Sequence, residues 1–277
     1  MRFGVHLPQS GRAASAANIA ACARQAEDLG FADVWVSDHV LVPSAAPYPP
    51  AFIFDPLVSL TWAAAATSTV GLGTSVLLLP LRSPVVLAKQ LATLDLFAGE
   101  RLTLGAGSGW LRGEFEALGV SMAQRHALTD ECIDILRACW TSRPVSVDGP
   151  TYSFDDMVIL PLPKRPIPVW VGGTGPKAVA RAIGRGDGWH GIGALEELTG
   201  IARTLRDARS EPEFTLSSRV DWDGLRTPED EIRAGLAGYA EAGFDHLVIS
   251  PSQSDLDSWQ RSVQRLAELC GLTGSSS

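Results

Sequence analysis

The sequence predicts an α/β fold, a (β/α)8 barrel of the TIM type with one β-hairpin inserted after the fourth unit. Short apolar segments alternate with longer segments of helical period, and most apolar segments end in a cluster of Gly, Ser, Thr, His or Asp. A chain of 277 residues has room for one such barrel or for two ordinary domains. No domain boundary is visible, so we predict a single domain over 1–273 and a disordered tail over 274–277. A doubly wound open sheet is the alternative.

Eight apolar runs carry the strand pattern. Seven of the strands follow directly from short runs rich in Val, Ile and Leu that turn residues interrupt. The short run around Trp189 gives the sixth strand and has the weakest strand pattern of the eight. The predicted strands are, in chain order, Arg2–Leu7, Asp33–Ser37, Gly71–Leu79, Arg101–Leu104, Ile167–Val171, Gly188–Ile192, Glu213–Val220 and Asp245–Ile249.

The segments between these strands have helical period and recognisable ends. Gly30 fits the position after the first helix, and Asp55-Pro56 combines an N-cap residue with a proline in the first turn. The predicted helices are Ala16–Leu29, one that opens at Asp55-Pro56, Pro84–Phe97, Ala123–Trp140, one from Pro176 to about Gly184, Ala194–Asp207, Pro228–Ala242 and Leu256–Cys270. The alternating segment 144–163 turns at Asp148-Gly149 and predicts the inserted hairpin.

Composition narrows the class of partner. The net charge of −8 and pI near 5.1 argue against nucleic acid and anionic membranes, which leaves a small molecule as the expected partner. The uncharged segment 56–81 could be mistaken for a membrane span, but its Ser and Thr content favours a helix followed by a buried strand. The four cysteines form no C-x-x-C motif and the chain starts directly with a strand, so we expect reduced thiols in a cytoplasmic protein.

The most informative site motif is Asp38-His39, which directly follows the second strand. In a parallel barrel the carboxyl ends of the strands surround one mouth, where side chains that move protons gather. An Asp that caps a loop and a His that packs against Trp35 is the structural alternative. No H-x-H pair occurs on a strand, so no metal site is expected.

Two glycine-rich segments also follow strands. The segment Gly172-Gly173-Thr174-Gly175-Pro176 precedes a helix, a combination that favours phosphate binding through backbone N–H groups, with a plain connection between strand and helix as the alternative. The segment Gly105-Ala-Gly-Ser-Gly109 gives weaker evidence for a binding site. It forms either a tight turn or a place where the backbone comes close to an anionic or planar ligand.

Taken together, the chain resembles the bacterial luciferase-like monooxygenase superfamily, most of all its branch of oxidoreductases that use the deazaflavin coenzyme F420. Matching stretches run in order through nearly the whole chain: Phe31 to His39, Gly71 to Pro80, Leu87 to Asp95, Arg101 to Trp110, Val169 to Gly173 and Gly186 to Trp189.

The resemblance implies a cofactor at the barrel mouth and assigns residues to it. Asp38 and His39 match residues beside the reactive ring, and the end of the third strand, at Thr74, Ser75 and Val76, matches a segment with a non-proline cis peptide behind the ring. The turns at Gly107-Ser108 and at Gly172-Gly173-Thr174 match segments that hold the cofactor's tail and phosphate. Gly109-Trp110 replaces an acidic residue of the sugar-phosphate dehydrogenases in this branch, which argues against a sugar-phosphate substrate.

The leading hypothesis is therefore hydride transfer between F420 and a small organic substrate. His39 is the expected proton donor or acceptor, with Asp38 tuning and orienting it, and the loop around Tyr48 and Phe52 is expected to close over the substrate. The alternatives are an FMN-dependent monooxygenase supplied by a separate reductase, a non-catalytic cofactor-binding protein, and a metal-dependent hydrolase. A homodimer fits the superfamily.

Overall fold

The computed structural model describes residues 1–46 and 48–272, so the predicted tail at 274–277 lies outside the described residues. Strands and helices alternate along the chain as predicted. The strands are β1 Arg2–His6, β2 Asp33–Val36, β3 Gly71–Thr74, β4 Leu77–Leu78, β5 Leu102–Gly107, β6 Val145–Asp148, β7 Ser153–Met157, β8 Val169–Gly172, β9 Gly188–Ile192, β10 Thr215–Val220 and β11 His246–Ile249. The α-helices are α1 Ala16–Asp28, α2 Pro56–Ala66, α3 Pro84–Phe97, α4 Arg112–Ala117, α5 Arg125–Thr141, α6 Pro176–Arg185, α7 Leu195–Ala208, α8 Glu229–Glu241 and α9 Leu256–Leu269.

The strands close into a parallel barrel. Their order is β3–β2–β1–β11–β10–β9–β8–β5, and a further pairing of β5 with β3 completes the ring, with the short β4 continuing the third position beside β5. The predicted TIM barrel is thereby confirmed, and the open-sheet alternative is excluded. The registers of β1 with β11 and of β10 with β9 contain no irregularity.

Two predicted strand boundaries were wrong. The third strand was predicted as one segment over 71–79, but Ser75 and Val76 interrupt it and separate β3 from β4. The fourth strand continues to Gly107 instead of ending at Leu104, since its small residues pair with both β4 and β8. Part of the predicted glycine-rich turn is therefore strand.

Further elements differ from or add to the prediction. The helix α4, in the segment after Trp110, was not predicted. Between α5 and β8, the strands β6 and β7 pair antiparallel with an irregular register at Val145 and Val147. They lie beside the barrel as a separate two-stranded sheet.

The interior of the barrel is filled by aromatic rings. Trp35 is fully buried there and stacks on Trp170, with ring centroids 5.4 Å apart. A Cβ at Gly73 would lie 2.5 Å from the Trp35 ring, so the small residue on β3 makes room for the large one on β2. The larger apolar core lies outside this ring, between the strands and the helices.

Among the described residues, none of the helices combines the length and the apolar character that a membrane crossing requires.

Candidate active site

A cavity of about 1010 Å³ opens at the carboxyl ends of the barrel strands. The cavity lies at the mouth of the barrel, where the sequence predicts the site residues. The volume of the cavity suits a cofactor together with a small substrate. Eight of the predicted site residues line it: Asp38, His39, Ser75, Val76, Gly107, Ser108, Gly172 and Gly173.

Two other predicted cofactor residues do not line this cavity. Thr74 is fully buried, and its hydroxyl donates to the carbonyl of Gly105 at 2.8 Å, which ties β3 to β5. Thr174 follows Gly173 in the predicted phosphate turn, but it is absent from the cavity wall. The structure therefore gives Thr74 a place in the barrel wall and leaves only the backbone of the Thr174 turn near the site.

His39 is held by a carboxylate that the sequence analysis did not identify. Its Nδ1 lies 3.1 Å from Oε2 of Glu114, whose side chain is fully buried. The other Glu114 oxygen, Oε1, accepts from the backbone N–H of Val40 at 2.5 Å. Because Nδ1 donates to Glu114, the neutral imidazole carries its proton there and presents an unprotonated Nε2. Within the described residues Nε2 makes no hydrogen bond.

Asp38 does not orient His39, contrary to the prediction. Its Oδ1 accepts from the Arg82 guanidinium at 2.7 Å, and its Oδ2 accepts from the backbone N–H of Leu78 at 2.9 Å. Burial raises the pKa of the Asp38 carboxyl, while Arg82 opposes the rise. Adjacent side chains of a chain leaving a strand point in different directions, so Asp38 joins β4 and Arg82 while His39 turns to α4.

The segment between β3 and β4 forms part of the cavity wall. The Ser75–Val76 peptide bond is cis, as the resemblance implies. A Cβ at Gly107 would lie 2.4 Å from Cγ2 of Val76, and one at Gly172 would lie 2.8 Å from Cγ1 of Val76. These two glycines thus make room for Val76, which explains their small size without a ligand.

The end of the cavity at α6 is suited to an anion. Gly173 has φ of +109°, and the N–H groups of Gly173, Thr174 and Gly175 donate to no acceptor among the described residues. They stand at the positive end of α6, which begins with Pro176.

Two cationic side chains and a histidine surround the same end. Arg125, His126 and Lys177 line it, and both Nε of Arg125 and Nδ1 of His126 are buried without a partner in the described part of the chain. Burial and the positive charges of Arg125, Arg181 and Lys177 lower the pKa of His126. The positive potential therefore comes from several elements at once.

Ser108 is tied to this cationic end from behind. Its hydroxyl accepts from the buried Arg181 at 3.2 Å, and Oγ1 of Thr129 lies 2.9 Å from it. Arg181 is in turn paired with Asp130 at 2.5 Å. Ser108 thus holds a fixed position on the cavity wall, between β5 and the cationic end.

Aromatic side chains form the rim of the cavity. Tyr48 and Trp110 are more than half exposed, and their rings lie nearly parallel with centroids 6.4 Å apart. Trp110 also meets the His39 ring edge-on at 5.9 Å. Phe52, expected in the closing loop, packs instead against Phe54 and does not line the cavity.

The floor of the cavity contains a further cationic side chain. Arg219 donates to the hydroxyls of Ser37 at 3.0 Å and Ser250 at 3.1 Å. His6 reaches the same Ser37 hydroxyl with Nε2 at 2.8 Å, and burial together with the Arg219 charge lowers its pKa well below the ordinary histidine value. The floor is therefore cationic at Arg219 and neutral at His6.

Sequence reasoning missed Glu114, Arg82 and the cationic group around Lys177. Glu114 lies in α4, a helix of about one and a half turns that is too short to show a helical period in the sequence. The neighbouring residues in the sequence do not distinguish a buried carboxylate from an exposed one. Lys177 could have been found, because it stands directly after the proline that opens the predicted phosphate-binding helix.

Comparison with known proteins decides the family. The sequence model of the luciferase-like monooxygenase family matches residues 1–221 of this chain. The protein belongs to the luciferase-like monooxygenase family. The resemblance seen in the sequence is thereby confirmed.

Three proteins show what this chain is similar to. An uncharacterized protein of Mycobacterium tuberculosis, Rv0953c, is 34% identical over 283 residues, covering 96% of this chain and 98% of its own. The F420-dependent glucose-6-phosphate dehydrogenase of Kineococcus radiotolerans is 36% identical over 173 residues, which cover 60% of this chain but only 49% of that enzyme. The monooxygenase RslO1 of Streptomyces bottropensis has the same fold, with a TM-score of 0.83 at 22% identity over 97% of this chain and 98% of its own.

Within the described residues, no group of three or more His, Cys, Asp or Glu side chains has a geometry that could hold a metal ion.

Proposed function

We propose that this luciferase-like oxidoreductase transfers hydride between coenzyme F420 and a small organic substrate. The observation that carries the proposal is the geometry of His39, whose Nδ1 is held by the buried Glu114 while Nε2 remains without a protein partner on the cavity side. The relative named as an F420-dependent dehydrogenase supports the choice of cofactor.

The chemistry of the donor set fits this cofactor. An acidic tail attached to a planar ring needs an anion site at one end of a long cavity and a flat, mostly apolar site at the other. The free N–H groups of Gly173 and Gly175, with Arg125 and Lys177, supply the first. The surface around Val76 supplies the second. Gly172, Gly173, Gly107 and Ser108 would hold the tail, with Ser75 and Val76 behind the ring.

When bound, a deazaflavin supplies two-electron hydride chemistry. The residues of the chain then have to manage the accompanying proton. His39 Nε2 accepts it when the substrate is oxidised and returns it when the substrate is reduced. Glu114 keeps the imidazole in the tautomer that allows this and stabilises the positive charge that His39 acquires.

Asp38 has a positioning role in this proposal. By binding both Arg82 and the N–H of Leu78, its carboxylate fixes the start of β4 relative to the end of β2. Val76 and His39, which flank these two ends, thereby keep a constant separation. The rim pair Tyr48 and Trp110 is placed to cover a bound substrate and to exclude water from Nε2 of His39.

The decisive experiment is a spectroscopic titration of purified apo-protein with F420 and with FMN, side by side. We expect F420 to bind at least about tenfold more tightly than FMN. Nanomolar FMN binding without F420 binding would establish the FMN-dependent monooxygenase, with its need for a separate reductase. F420 binding without turnover of any alcohol or carbonyl compound would leave a non-catalytic binding protein.

The anion site is tested separately by Gly173→Val. The valine side chain would enter the cavity beside the free N–H groups and should weaken F420 binding about tenfold or more. Gly243→Val is the matched control, because Gly243 also has a positive φ, of +80°, and does not line the cavity. Equal affinities in the two variants would remove the phosphate assignment.

A homodimer in the cytoplasm remains part of the proposal. Large apolar side chains on α2 and α3 are exposed, with Trp62 52% and Phe97 72% exposed, and these two helices lie side by side. A second copy of the chain would cover them. Sedimentation equilibrium should give twice the chain mass, and Phe97→Asp should shift it towards the monomer; a monomeric wild type would contradict this.

A further inference from the structure

A chain of hydrogen bonds crosses the inside of the barrel and is not used by the chemistry above. It begins at Asp33, whose Oδ1 lies 2.8 Å from Nε2 of His246. Nδ1 of His246 lies 2.8 Å from the Ser217 hydroxyl, which lies 2.9 Å from Nδ1 of His190. Nε2 of His190 lies 2.9 Å from the hydroxyl of Ser75. Each ring nitrogen along the chain has a single partner.

The two ends of this chain have different surroundings. Asp33 stands at the amino end of β2, on the far side of the barrel from the mouth, and is 8% exposed. Ser75 and His190 line the cavity, while Ser217 and His246 are fully buried. The hydrogen bonds therefore connect the closed end of the barrel to the cavity.

Aromatic rings hold the two imidazoles in place. The His190 ring is parallel to Trp35 within 5° at a centroid distance of 5.2 Å, and the His246 ring meets Trp170 edge-on at 5.1 Å. Trp35 also donates its Nε1 hydrogen to Oδ1 of Asp33. Neither imidazole can turn over without leaving a buried polar atom unpaired.

Ionisation limits where the protons can lie. Burial and the nearby charges of His246 and Arg219 lower the pKa of His190 to about 3, so His190 is neutral at ordinary pH. Burial alone would raise the pKa of Asp33, but His246 and Trp35 lower it overall, so Asp33 is ionised. An ionised Asp33 can only accept, and Nε2 of His246 must therefore carry a hydrogen.

Only two proton orders then satisfy every group. If His246 is neutral, its Nδ1 accepts from Ser217, Ser217 accepts from Nδ1–H of His190, and Nε2 of His190 accepts from Ser75. If His246 is protonated, its bond to Asp33 is unchanged and the other three bonds reverse: Nδ1–H of His246 donates to Ser217, Ser217 to His190, and Nε2–H of His190 to Ser75.

We propose that Asp33, His246, Ser217 and His190 form a relay that sets the direction of the hydrogen bond at Ser75. In the first order the Ser75 hydroxyl donates its hydrogen to His190, so it can only accept a hydrogen bond from a molecule in the cavity. In the second order Ser75 keeps its hydrogen and offers the cavity a donor. Asp33 and His246 are positioning residues that act on the cavity through Ser75 without touching its contents.

The charges around the relay come from four strands. Asp33 on β2 is bonded to His246, and both His246 and Arg2, at the start of β1, lower the pKa of Asp33. His190 on β9, His6 on β1 and Arg219 on β10 are the other titratable or charged groups near the imidazoles. Arg219 lowers the pKa of both His190 and His6.

The relay is tested by the tautomers of its two imidazoles. Cofactor-free protein labelled with 15N-histidine would be followed by long-range 1H–15N correlation spectra from pH 8 towards pH 5. Wherever His246 is neutral, His190 should carry its proton on Nδ1; wherever His246 is protonated, His190 should be neutral with its proton on Nε2. Any other combination overturns the proposal, including a His190 tautomer that stays fixed while His246 titrates.

Adjacent serines on β10 provide a matched pair of variants. Ser217→Ala removes the connecting hydroxyl, so His190 should lose its single tautomer and show no response to the state of His246. Ser218→Ala removes a hydroxyl equally buried on the same strand, which donates to the Gly191 carbonyl outside the relay, and the wild-type spectra should persist. Unchanged His190 signals in Ser217→Ala, or equal changes in both variants, would contradict the relay. Since no cofactor is present, the result is independent of whether the cavity binds F420.

Discussion

Two imidazole–carboxylate pairs lie at opposite levels of the same barrel. At the mouth, Nδ1 of His39 is 3.1 Å from Glu114; in the interior, Nε2 of His246 is 2.8 Å from Asp33. Both carboxylates are held by further donors, the N–H of Val40 for Glu114 and the indole of Trp35 for Asp33. The chemical groups are the same, yet their remaining ring nitrogens have different partners.

The difference lies in the free nitrogen. At the mouth, Nε2 of His39 has no partner in the described chain and can exchange a proton with a bound molecule. In the interior, Nδ1 of His246 is bonded to Ser217 and can affect the cavity only through His190 and Ser75. An imidazole–carboxylate pair is thus not by itself a catalytic signature, because access of the second nitrogen decides what it can do.

The largest expected effect is the loss of turnover in His39→Gln. Without an imidazole no group at that point accepts or returns the proton, so kcat should fall about 10²-fold or more. The equilibrium affinity for F420 should change by less than about threefold, because the tail residues are untouched. Steady-state kinetics on an alcohol that the wild type oxidises, with a parallel F420 titration, measure both. A large loss of affinity would instead make His39 a binding residue.

A second prediction concerns stability and the interior pair. Asp33→Asn keeps the size of the side chain but weakens its bonds to His246 and Trp35, and hydrogen bonds to charged groups contribute about 1.5–3 kcal/mol each. The free energy of unfolding in urea should therefore fall by about 2 kcal/mol. The same measurement on His39→Gln should show a loss below about 1 kcal/mol, as expected at a partly open site. Equal losses would erase the distinction between the two pairs.

Acid should destabilise the protein through its buried neutral histidines. The pKa of His190 is lowered to about 3 in the folded chain and returns to about 6.5 on unfolding. Between these values the unfolded state binds more protons, so stability falls as the pH is lowered through 6.5. From pH 7 to pH 5 the cost is about 2 kcal/mol for this group. The lowered pKa of His6 adds to it in the same direction.

Urea unfolding at pH 7 and at pH 5 measures this loss. In His190→Gln the difference between the two pH values should shrink by about the same 2 kcal/mol. A variant with the full wild-type difference would show that His190 protonates in the folded state as it does in the unfolded state, which contradicts the neutral His190 that both proton orders require at pH 5.

The smallest expected effect is that of Glu114→Gln. A glutamine keeps the size of the side chain but has one acceptor oxygen where Glu114 has two, so it can accept from Val40 or from Nδ1 of His39 but not from both, and the negative charge is lost. We expect kcat to fall about tenfold, less than in His39→Gln, because the imidazole itself remains. A loss as large as that of His39→Gln would mean that the carboxylate itself takes part in proton transfer.

The fold was largely readable from the sequence, and for a local reason. Apolar runs alternate with segments of helical period, and residues such as Gly30 after α1 and Asp55-Pro56 before α2 mark the ends of the helices. These signals reflect hydrogen bonds between residues that are close in the chain. The predictions failed where tertiary contacts override such signals. The break of the third strand at Ser75-Val76 depends on space left by Gly107 on a different strand.

The site was readable only in part. His39 and Gly173 could be placed at the mouth because parallel strands all end there. The hydrogen-bond partner of His39 could not be predicted, because Glu114 is 75 residues away in sequence. Asp38, which directly precedes His39, was predicted to orient the imidazole instead. The side chain of Asp38 was turned away by Arg82, a contact between residues 44 positions apart.

The sequence by itself determined the barrel, its mouth and the kinds of residue that gather there, because hydrophobic periodicity and the positions at which strands end are local properties. Only the tertiary structure decided which carboxylate meets which imidazole, and which serine connects His190 to His246. Hydrogen bonds inside a closed barrel join residues from different strands, and their geometry exists only once the ring of strands is complete.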